Sequence, residues 1–280
     1  MATCYRHPDR ETNVACSNCG RSICPDCMTS TPVGMRCPEC ARQRTKVRRG
    51  VGTPGGGDAP ATYALIGLCV VGFFAQIASG AEFAGGNALG NFGADFAFYA
   101  PVIDAEGEWY RAITYGFLHS GLFHLAVNMF VLYILGTLLE PAIGTARFVA
   151  IYLISVLGGA LGVALIDQDA VTVGASGGIF GLMAAAFLIA RHRGLDDLAS
   201  QIGFLVILNL VITFSVPRIS IGGHIGGLIA GGIAAALIAA VERNRGRDAA
   251  GLDAAALGAL AIAIAVATVV AVDGAATAAF

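Results

Sequence analysis

Long apolar runs separated by short polar connections dominate the chain after residue 60. Seven of these runs approach the length of about 20 residues that an α-helix needs to cross a bilayer. They cover residues 61–79, 116–138, 147–166, 174–191, 200–216, 221–241 and 254–272. The pattern predicts an all-α polytopic membrane protein with seven transmembrane helices.

The composition agrees with this prediction. Hydrophobic residues make up 56% of the 280 residues and charged residues only 13%, whereas globular domains carry about 25% charged residues. The first fifty residues are polar and rich in cysteine, so we expect no secretory signal peptide.

The arginines between the apolar runs predict an orientation. The connections after the second, fourth and sixth runs carry six arginines, and those after the first, third and fifth carry two. Basic residues favour the cytoplasmic side of a membrane. We therefore expect an integral multi-pass protein of a bacterial cell membrane, with a cytoplasmic N-terminus and the C-terminus outside.

Residues 1–41 contain four pairs of candidate metal ligands, each with two residues between its members. The pairs are Cys4 and His7, Cys16 and Cys19, Cys24 and Cys27, and Cys37 and Cys40. Eight ligands of this kind predict two structural zinc sites, each with four protein ligands and no open position. A disulfide framework is the alternative, but this region has an odd number of cysteines, seven, and a histidine in a cysteine position, and both features favour zinc.

The pattern resembles B-box-like, cross-braced zinc fingers. That resemblance implies that the first and third pairs share one ion and that the second and fourth pairs share the other. Spacing alone leaves a sequential arrangement open. Docking of a cytoplasmic protein partner is one role open to such a module.

Residues 42–60 form a basic linker that is rich in glycine and proline. Five basic residues lie between Arg42 and Arg49, directly before the first apolar run. We interpret them as a topology signal; nucleic-acid binding is the less favoured alternative.

A few polar side chains interrupt the apolar runs near their outer ends. His119, His124 and Asn128 lie in the second run, Ser176 in the fourth and His224 in the sixth. These three runs cross the membrane in the same direction, so a shared, partly hydrated cavity explains the common depth of the polar groups.

The cavity predicts nucleophilic catalysis. His224 can take the proton of Ser176, and His124, Asn128 and the backbone N–H of Ser176 can stabilise the oxyanion of acyl transfer. We expect Gly174 and Gly177 to let the backbone turn and approach a substrate. Taken singly, each polar side chain has a structural explanation, since serine bonds its own helix and histidine or asparagine joins neighbouring helices.

Small residues at 223, 227 and 231 recur every four positions, and this spacing predicts close helix packing that brings the base to the serine. The sequence G-x-S-x-G at 174–178 also fits the nucleophile elbow of α/β-hydrolases. That motif requires a preceding strand and a soluble sheet, so we reject it for a membrane segment.

Residues 61–241 resemble the rhomboid family of intramembrane serine proteases. The motifs that carry the resemblance are EWYR at 108–111, HLAVN at 124–128, GTLLEPAIGTAR at 136–147, GASG at 174–177 and GGHIGG at 222–227. The resemblance implies a six-helix bundle as the protease core, with the run at 254–272 as an additional seventh helix.

The resemblance also implies roles for individual residues. It implies a Ser176–His224 dyad without a carboxylate, and oxyanion stabilisation by His124 and Asn128. Further positions that match the family are His119, the Tyr110–Arg111 motif of an outer loop, and the structural residues Glu140 and Gly144. Phe180 stands where many rhomboids have a tyrosine against the catalytic histidine; it can pack there but cannot donate a hydrogen bond, so we expect activity with altered tuning.

The expected function is an intramembrane serine endopeptidase that needs no catalytic cofactor. Its expected substrates are single-span membrane proteins with a locally unwound helix near the outer face, because an intact helix hides its peptide bonds. A catalytically inactive rhomboid-like protein that binds membrane clients is one alternative, and a transporter or channel is another. The retained serine and histidine disfavour the first, and the single depth of the polar groups disfavours the second.

Overall fold

The structure is a computed structural model that describes residues 2–31, 34–42, 58–84, 88–217, 219–245 and 250–278. The chain divides into two compact units, Met1–Gly50 and Val51–Phe280, and each is described by itself. Of the predicted linker at 42–60, residues 43–57 lie outside the described residues.

The N-terminal unit consists of two small antiparallel hairpins and two short helical turns. Its elements are β1 (Ala2–Thr3), β2 (Glu11–Thr12), a 3₁₀ turn (Pro25–Cys27), β3 (Thr29–Thr31), β4 (Gly34–Arg36) and α1 (Pro38–Arg42). β1 pairs with β2, and β3 pairs with β4. Its buried core consists of six cysteines and Ile23. So small an apolar core needs a covalent or metal cross-link for stability.

In the described residues of the second unit, the regular secondary structure is helical apart from one backbone bridge. Its helices are α2 (Pro60–Ala78), α3 (Gly90–Phe96), α4 (Ala100–Glu106), α5 (Arg111–Thr114), α6 (Leu122–Ile143), α7 (Thr145–Ile166), α8 (Ser176–His192), α9 (Asp196–Ser215), α10 (Ile221–Arg245) and α11 (Ala250–Ala278). Six of these described helices, α2, α6, α7, α9, α10 and α11, are long and apolar enough to cross a membrane. This confirms an all-α polytopic membrane protein.

The fourth predicted run becomes α8, which has only 17 residues and a length of about 26 Å. It is the shortest of the seven apolar helices and begins only at Ser176, because the preceding residues form an irregular loop.

The second predicted run differs most from its helix. The apolar run begins at 116, but α6 begins at Leu122 because Tyr115–Phe117 form a separate 3₁₀ turn and Gly121 has φ +146°. At the other end, Gly144 with φ +90° terminates the helix. His119 therefore lies before α6, in the irregular segment, and not within a transmembrane helix as predicted.

Glycines allow α10 to contact both α7 and α8 through the backbone. A Cβ atom on Gly162 of α7 would lie 2.0 Å from the carbonyl oxygen of Gly222. A Cβ atom on Gly227 would lie 2.1 Å from the carbonyl oxygen of Gly177 in α8. Such separations leave no room for any side chain, so the small residues fix the distance between the helices that carry the serine and the histidine.

Glu140 of α6 caps the N-terminus of α2. Its carboxylate is buried and accepts bonds from the N–H groups of Ala61 (3.0 Å) and Thr62 (2.8 Å). The hydroxyls of Thr62 (2.8 Å) and Thr145 (2.9 Å) also donate to it. The first N–H groups of a helix have no partner within the helix, and here one carboxylate satisfies two of them.

An ionic cluster joins α11 to the rest of the bundle. Arg147 at the start of α7 bonds Glu242 of α10 at 2.7 Å and the Oδ2 atom of Asp253 in α11 at 2.9 Å through its Nε atom. Asp253 is 3% exposed. The cluster therefore fixes the base of the seventh helix against two helices of the core.

Candidate active site

Ser176 and His224 meet where α8 and α10 begin. Ser176 is the first residue of α8 and His224 lies in the first turn of α10. The Nε2 atom of His224 lies 2.8 Å from the Oγ atom of Ser176, within hydrogen-bond range. Both side chains are half-buried. This is the geometry in which an imidazole can accept the proton of a serine hydroxyl.

The loop before Ser176 is fixed by backbone hydrogen bonds. Thr172 and Phe98 exchange N–H···O bonds of 2.9 and 3.0 Å, which form a short antiparallel bridge. The N–H of Gly174 donates to the carbonyl of Tyr115 at 3.0 Å. The segment between α3 and α4 and the segment after α5 thus hold the loop before the serine in place.

Gly174 and Gly177 serve different purposes. Gly174 has φ +138°, and a Cβ atom there would lie 2.9 Å from the ring of His124 and 3.5 Å from the Ser176 oxygen. Only glycine therefore lets His124 approach the serine. Gly177 lies within α8, where a Cβ atom would face the carbonyl of Gly223 at 3.1 Å; it supports helix packing and not the predicted turn.

Asp167, at the end of α7, caps the helix that carries His224. Its carboxylate accepts bonds from the hydroxyl of Ser220 at 2.7 Å and from the N–H of Gly222 at 2.9 Å. The Ser220 hydroxyl in turn accepts the N–H of Gly223 at 2.9 Å. Sequence reasoning missed this cap, although a serine directly before an apolar run is a recognised N-cap signal.

Two further side chains contact the imidazole of His224. The phenyl ring of Phe180 stacks on it with a centroid distance of 4.2 Å and an interplanar angle of 22°, the packing predicted for this ring. The Oγ1 atom of Thr213 in α9 lies 2.7 Å from Nδ1. Sequence reasoning missed Thr213, because the contact joins two helices and has no local signature.

His124 and Asn128 lie one turn apart on the same face of α6. The backbone N–H of Ser120 points to the Nδ1 atom of His124 at 3.3 Å. A backbone N–H can only donate, so Nδ1 is the acceptor and the neutral ring carries its proton on Nε2. The Nδ2 donor of Asn128 is buried and has no hydrogen-bond partner among the described residues. Both residues therefore offer N–H donors for which the described part of the chain shows no acceptor.

His119 is fully buried behind His124, and its ring nitrogens have no partner among the described residues. The two rings pack edge to face at 5.1 Å. Gln76 holds the His119 backbone from both sides, accepting its N–H at 2.9 Å and donating to its carbonyl at 3.1 Å. His119 thus supports the position of His124.

Arg111 organises the segment between α2 and α6. Its buried guanidinium donates to the carbonyls of Ala94 (2.6 Å) and Ala97 (3.0 Å) and bonds Glu108 at 2.7 Å through Nε. The hydrogen bond from Arg111 lowers the pKa of the Glu108 carboxyl. The Tyr110 hydroxyl donates to the carbonyl of Asp95 at 3.1 Å. The aromatic–arginine motif therefore holds the loop that pairs with the segment before Ser176.

The candidate metal ligands of the N-terminal unit form two clusters. Within each cluster the ligand atoms lie within 4.8 Å of one another. One cluster contains Cys4, His7, Cys24 and Cys27, and the other contains Cys16, Cys19, Cys37 and Cys40. The first pair thus lies with the third and the second with the fourth, as in the cross-braced arrangement.

The distances within the clusters fit tetrahedral zinc. With Zn–S of about 2.3 Å and Zn–N of about 2.0–2.1 Å, ideal tetrahedral edges are about 3.8 Å between two sulfurs and about 3.6 Å between sulfur and nitrogen. The sulfurs of Cys19 and Cys37 are 3.8 Å apart. The Nδ1 atom of His7 lies 3.3, 3.5 and 3.9 Å from the sulfurs of Cys24, Cys27 and Cys4. None of the eight cysteines, all of which lie in the described ranges, forms a disulfide.

Comparison with known proteins places the site within a matched domain. Residues 106–241 match the Rhomboid domain family. The chain is 34% identical over 171 residues to rhomboid protease GluP of Bacillus subtilis, covering 60% of this chain and 32% of that protein. It is 39% identical over 132 residues to RHOMBOID-like protein 5 of Arabidopsis thaliana, with coverage of 45% and 42%.

A third relative is the putative rhomboid protease YdcA of Bacillus subtilis, which is 34% identical over 130 residues, 44% of this chain and 64% of that protein. The chain thus spans less than two thirds of the length of each of these three relatives. The matches support the rhomboid family of intramembrane proteases. The matched domain includes Ser176, His224, His124 and Asn128, but neither the N-terminal clusters nor α11.

Proposed function

We propose that this protein is a rhomboid-type intramembrane serine endopeptidase that hydrolyses peptide bonds in or near transmembrane segments of single-span membrane proteins. The observation that carries the proposal is the 2.8 Å contact between the Nε2 atom of His224 and the Oγ atom of Ser176, inside a bundle of membrane-spanning helices. A serine hydroxyl becomes a useful nucleophile only when a base takes its proton, and His224 is in position to do so.

The reaction proceeds through an acyl-enzyme. The Ser176 oxygen attacks the carbonyl carbon of the scissile bond while its proton moves to Nε2 of His224. The C–N bond then breaks, and the leaving amine takes that proton from Nε2. Water attacks the resulting ester, gives a proton to Nε2, and releases the carboxyl product as the proton returns to the serine oxygen.

The oxyanion formed in both steps is stabilised by three donors. His124 presents its Nε2–H on the side where Gly174 adjoins Ser176, and Asn128 offers the unpartnered Nδ2 group. The N–H of Ser176 is the first of α8 and has no acceptor within the helix. Preorganised donors of this kind contribute about 10²- to 10³-fold each to the rate.

We also propose that the N-terminal unit binds two structural zinc ions. Each cluster would hold one ion through four thiolate or imidazole ligands, and the ions would cross-link a unit whose apolar core is too small to be stable alone. The full chain purified without chelator should contain two zinc atoms per molecule, and replacement of Cys16 and Cys37 by serine should leave one. A metal content that is unchanged by this replacement would contradict the assignment.

The distribution of arginines supports an orientation with the N-terminal unit in the cytoplasm of a bacterial cell and the serine near the outer face. The test uses a background in which the exposed Cys19 is replaced by serine. Single cysteines introduced there into the 80–115 connection and into the loop at 193–195 should react with a membrane-impermeant maleimide from opposite sides of the membrane. Labelling of both positions from the same side would refute this orientation.

The activity test uses a fluorophosphonate probe on purified protein in detergent, followed by a single-span peptide substrate in proteoliposomes. Wild-type protein should label and cleave, and Ser176→Ala and His224→Ala should do neither. Folded wild-type protein that fails to label and cleave would instead identify a catalytically inactive binding protein. Labelling that persists in Ser176→Ala would assign the nucleophile elsewhere.

A further inference from the structure

The mechanism above uses one nitrogen of His224, and the other nitrogen is also bonded. The Oγ1 atom of Thr213 lies 2.7 Å from Nδ1. Thr213 is 2% exposed and lies near the end of α9. A buried hydroxyl this close to Nδ1 affects which of the two ring nitrogens of His224 carries the proton.

The same hydroxyl has a second partner. The Oγ1 atom of Thr213 lies 2.8 Å from the carbonyl oxygen of Asn209, one turn earlier in α9. The carbonyl can only accept, whereas the hydroxyl has one proton to donate and lone pairs that accept. The position of that single proton determines the tautomer of His224.

Two arrangements are open, and they differ in the number of hydrogen bonds. If Thr213 donates to Asn209, it accepts Nδ1–H of His224, and Nε2 is free to accept the proton of Ser176, giving three bonds. If Thr213 donates to Nδ1, the Nε2–H points at the serine oxygen, and the Ser176 hydroxyl has no other acceptor among the described residues. Only two bonds then form, and His224 cannot act as a base.

We propose that Thr213 is a positioning residue that fixes His224 as the Nδ1–H tautomer and so keeps Nε2 ready for the Ser176 proton; the functional consequence rests on the proposed protease activity. Thr213 holds the ring at its edge while Phe180 packs against its face. The two contacts together restrict the position and the rotation of the imidazole.

The Thr213 hydroxyl also contributes when His224 takes up the proton of Ser176. The imidazolium formed in the transition state donates from Nδ1, and a hydrogen bond to a charged donor is stronger than one to a neutral donor. In serine proteases with a triad, a carboxylate accepts this bond. Here a neutral hydroxyl, polarised by the Asn209 carbonyl, occupies that place.

A threonine in a membrane helix commonly bonds its own helix and does nothing else, and the chain supplies a matched example. Thr268 of α11 is also 2% exposed, and its hydroxyl donates to the carbonyl of Ile264 at 2.8 Å. Replacing Thr268 by valine therefore removes the same local bond without touching the site. Thr213→Val removes both the local bond and the contact to Nδ1, with nearly unchanged volume.

The first readout is the tautomer of His224, measured by ¹⁵N NMR of histidine-labelled full-length protein in detergent. The chain has five histidines, and a His224→Gln spectrum identifies the resonances of interest. We expect a protonated Nδ1 and an unprotonated Nε2 in the wild type, in Thr213→Ser and in Thr268→Val. We expect this preference to be lost in Thr213→Val.

The second readout is the rate of fluorophosphonate labelling. We expect Thr213→Val to label about ten- to a hundredfold more slowly, the effect of losing one hydrogen bond to a charged group. Thr213→Ser should recover most of that loss, because it retains the hydroxyl. Size-exclusion profiles and helical circular dichroism establish that each variant is folded.

The outcomes separate this inference from the proposed function. A Thr213→Val protein that keeps the Nδ1–H tautomer and the wild-type labelling rate overturns the role of Thr213. Equal losses in the serine and valine variants also overturn it, since shape and not the hydroxyl would then matter. If no variant labels, the wild type included, but valine abolishes the tautomer preference, the positioning role stands and the protease assignment fails.

Discussion

Replacing Glu140 tests directly how the bundle is held together, because its single buried carboxylate, on α6, accepts hydrogen bonds from both α2 and α7. Glu140→Gln keeps the shape of the side chain and replaces one acceptor oxygen by an NH₂ donor. In the structure, Oε1 accepts from the N–H of Ala61 and the hydroxyl of Thr145, and Oε2 accepts from the N–H and the hydroxyl of Thr62.

The expected cost follows from these four bonds. The two hydroxyls can rotate and accept from the new NH₂ group, but a backbone N–H cannot, so one helix-terminal donor is left without an acceptor at a cost of about 1–3 kcal/mol. The loss of a negative charge at the start of α2 adds up to about 1 kcal/mol. We therefore expect Glu140→Gln to lower the free energy of unfolding by about 1–4 kcal/mol.

The measurement is equilibrium unfolding in mixed detergent micelles, followed by circular dichroism. Glu82 is exposed, so Glu82→Gln should change the free energy of unfolding by no more than about 0.5 kcal/mol. A Glu140→Gln protein that unfolds within that same narrow range would refute the reasoning, because it would mean that the capped N–H groups find other partners. Fluorophosphonate labelling of the surviving folded fraction shows whether the site itself is disturbed.

Two further predictions concern helix packing and pH. Gly227→Ala should destabilise the bundle and slow fluorophosphonate labelling, because its Cβ atom would lie 2.1 Å from the carbonyl oxygen of Gly177. Gly232→Ala is the control: its Cβ atom would meet only ordinary contacts from 3.7 Å, so it should behave as wild type. Equal labelling rates in the two variants would contradict the packing argument. The guanidinium bonded to Glu108 holds the pKa of that carboxyl below its ordinary value of 4.5. The bond therefore stabilises the segment between α2 and α6 at neutral pH and is lost as the pH falls below about 4.5 through the folded-state pKa. The fluorescence of Trp109, the single tryptophan of the chain, should change over this acidic range in the wild type and not in Glu108→Gln; identical titrations would contradict this role.

The sequence predicts the membrane helices well because their determinants are local. Apolar length locates the six described helices that are long enough to cross a membrane and also the shorter apolar helix α8, and the glycines of α10 indicate where backbones approach. The boundary errors arise where the polypeptide leaves helical geometry without leaving the apolar interior. The run at 116–138 is continuous in hydropathy, yet Gly121 adopts φ +146°, and hydropathy carries no information about that dihedral angle.

The candidate site is predictable to the extent that the sequence predicts one membrane depth for its parts. Ser176, His224, His124 and Asn128 can be grouped because their helices run in the same direction, and the structure brings Ser176 and His224 within hydrogen-bond distance. Which ligand pairs share a metal cluster could be determined only from the fold, because the spacing within each pair does not determine which pairs meet.

The residues that sequence reasoning missed act through another residue and not on a substrate. Asp167 holds the start of α10, and Thr213 holds one nitrogen of His224. In an apolar helix a threonine satisfies its own hydroxyl by bonding the preceding turn, so its sequence context is identical whether or not it faces a histidine. Only the approach of α9 to α10 turns that ordinary threonine into an acceptor for Nδ1. A nucleophile and its base can therefore be found from residue types, whereas the group that selects the tautomer of the base is found only once the helices are packed.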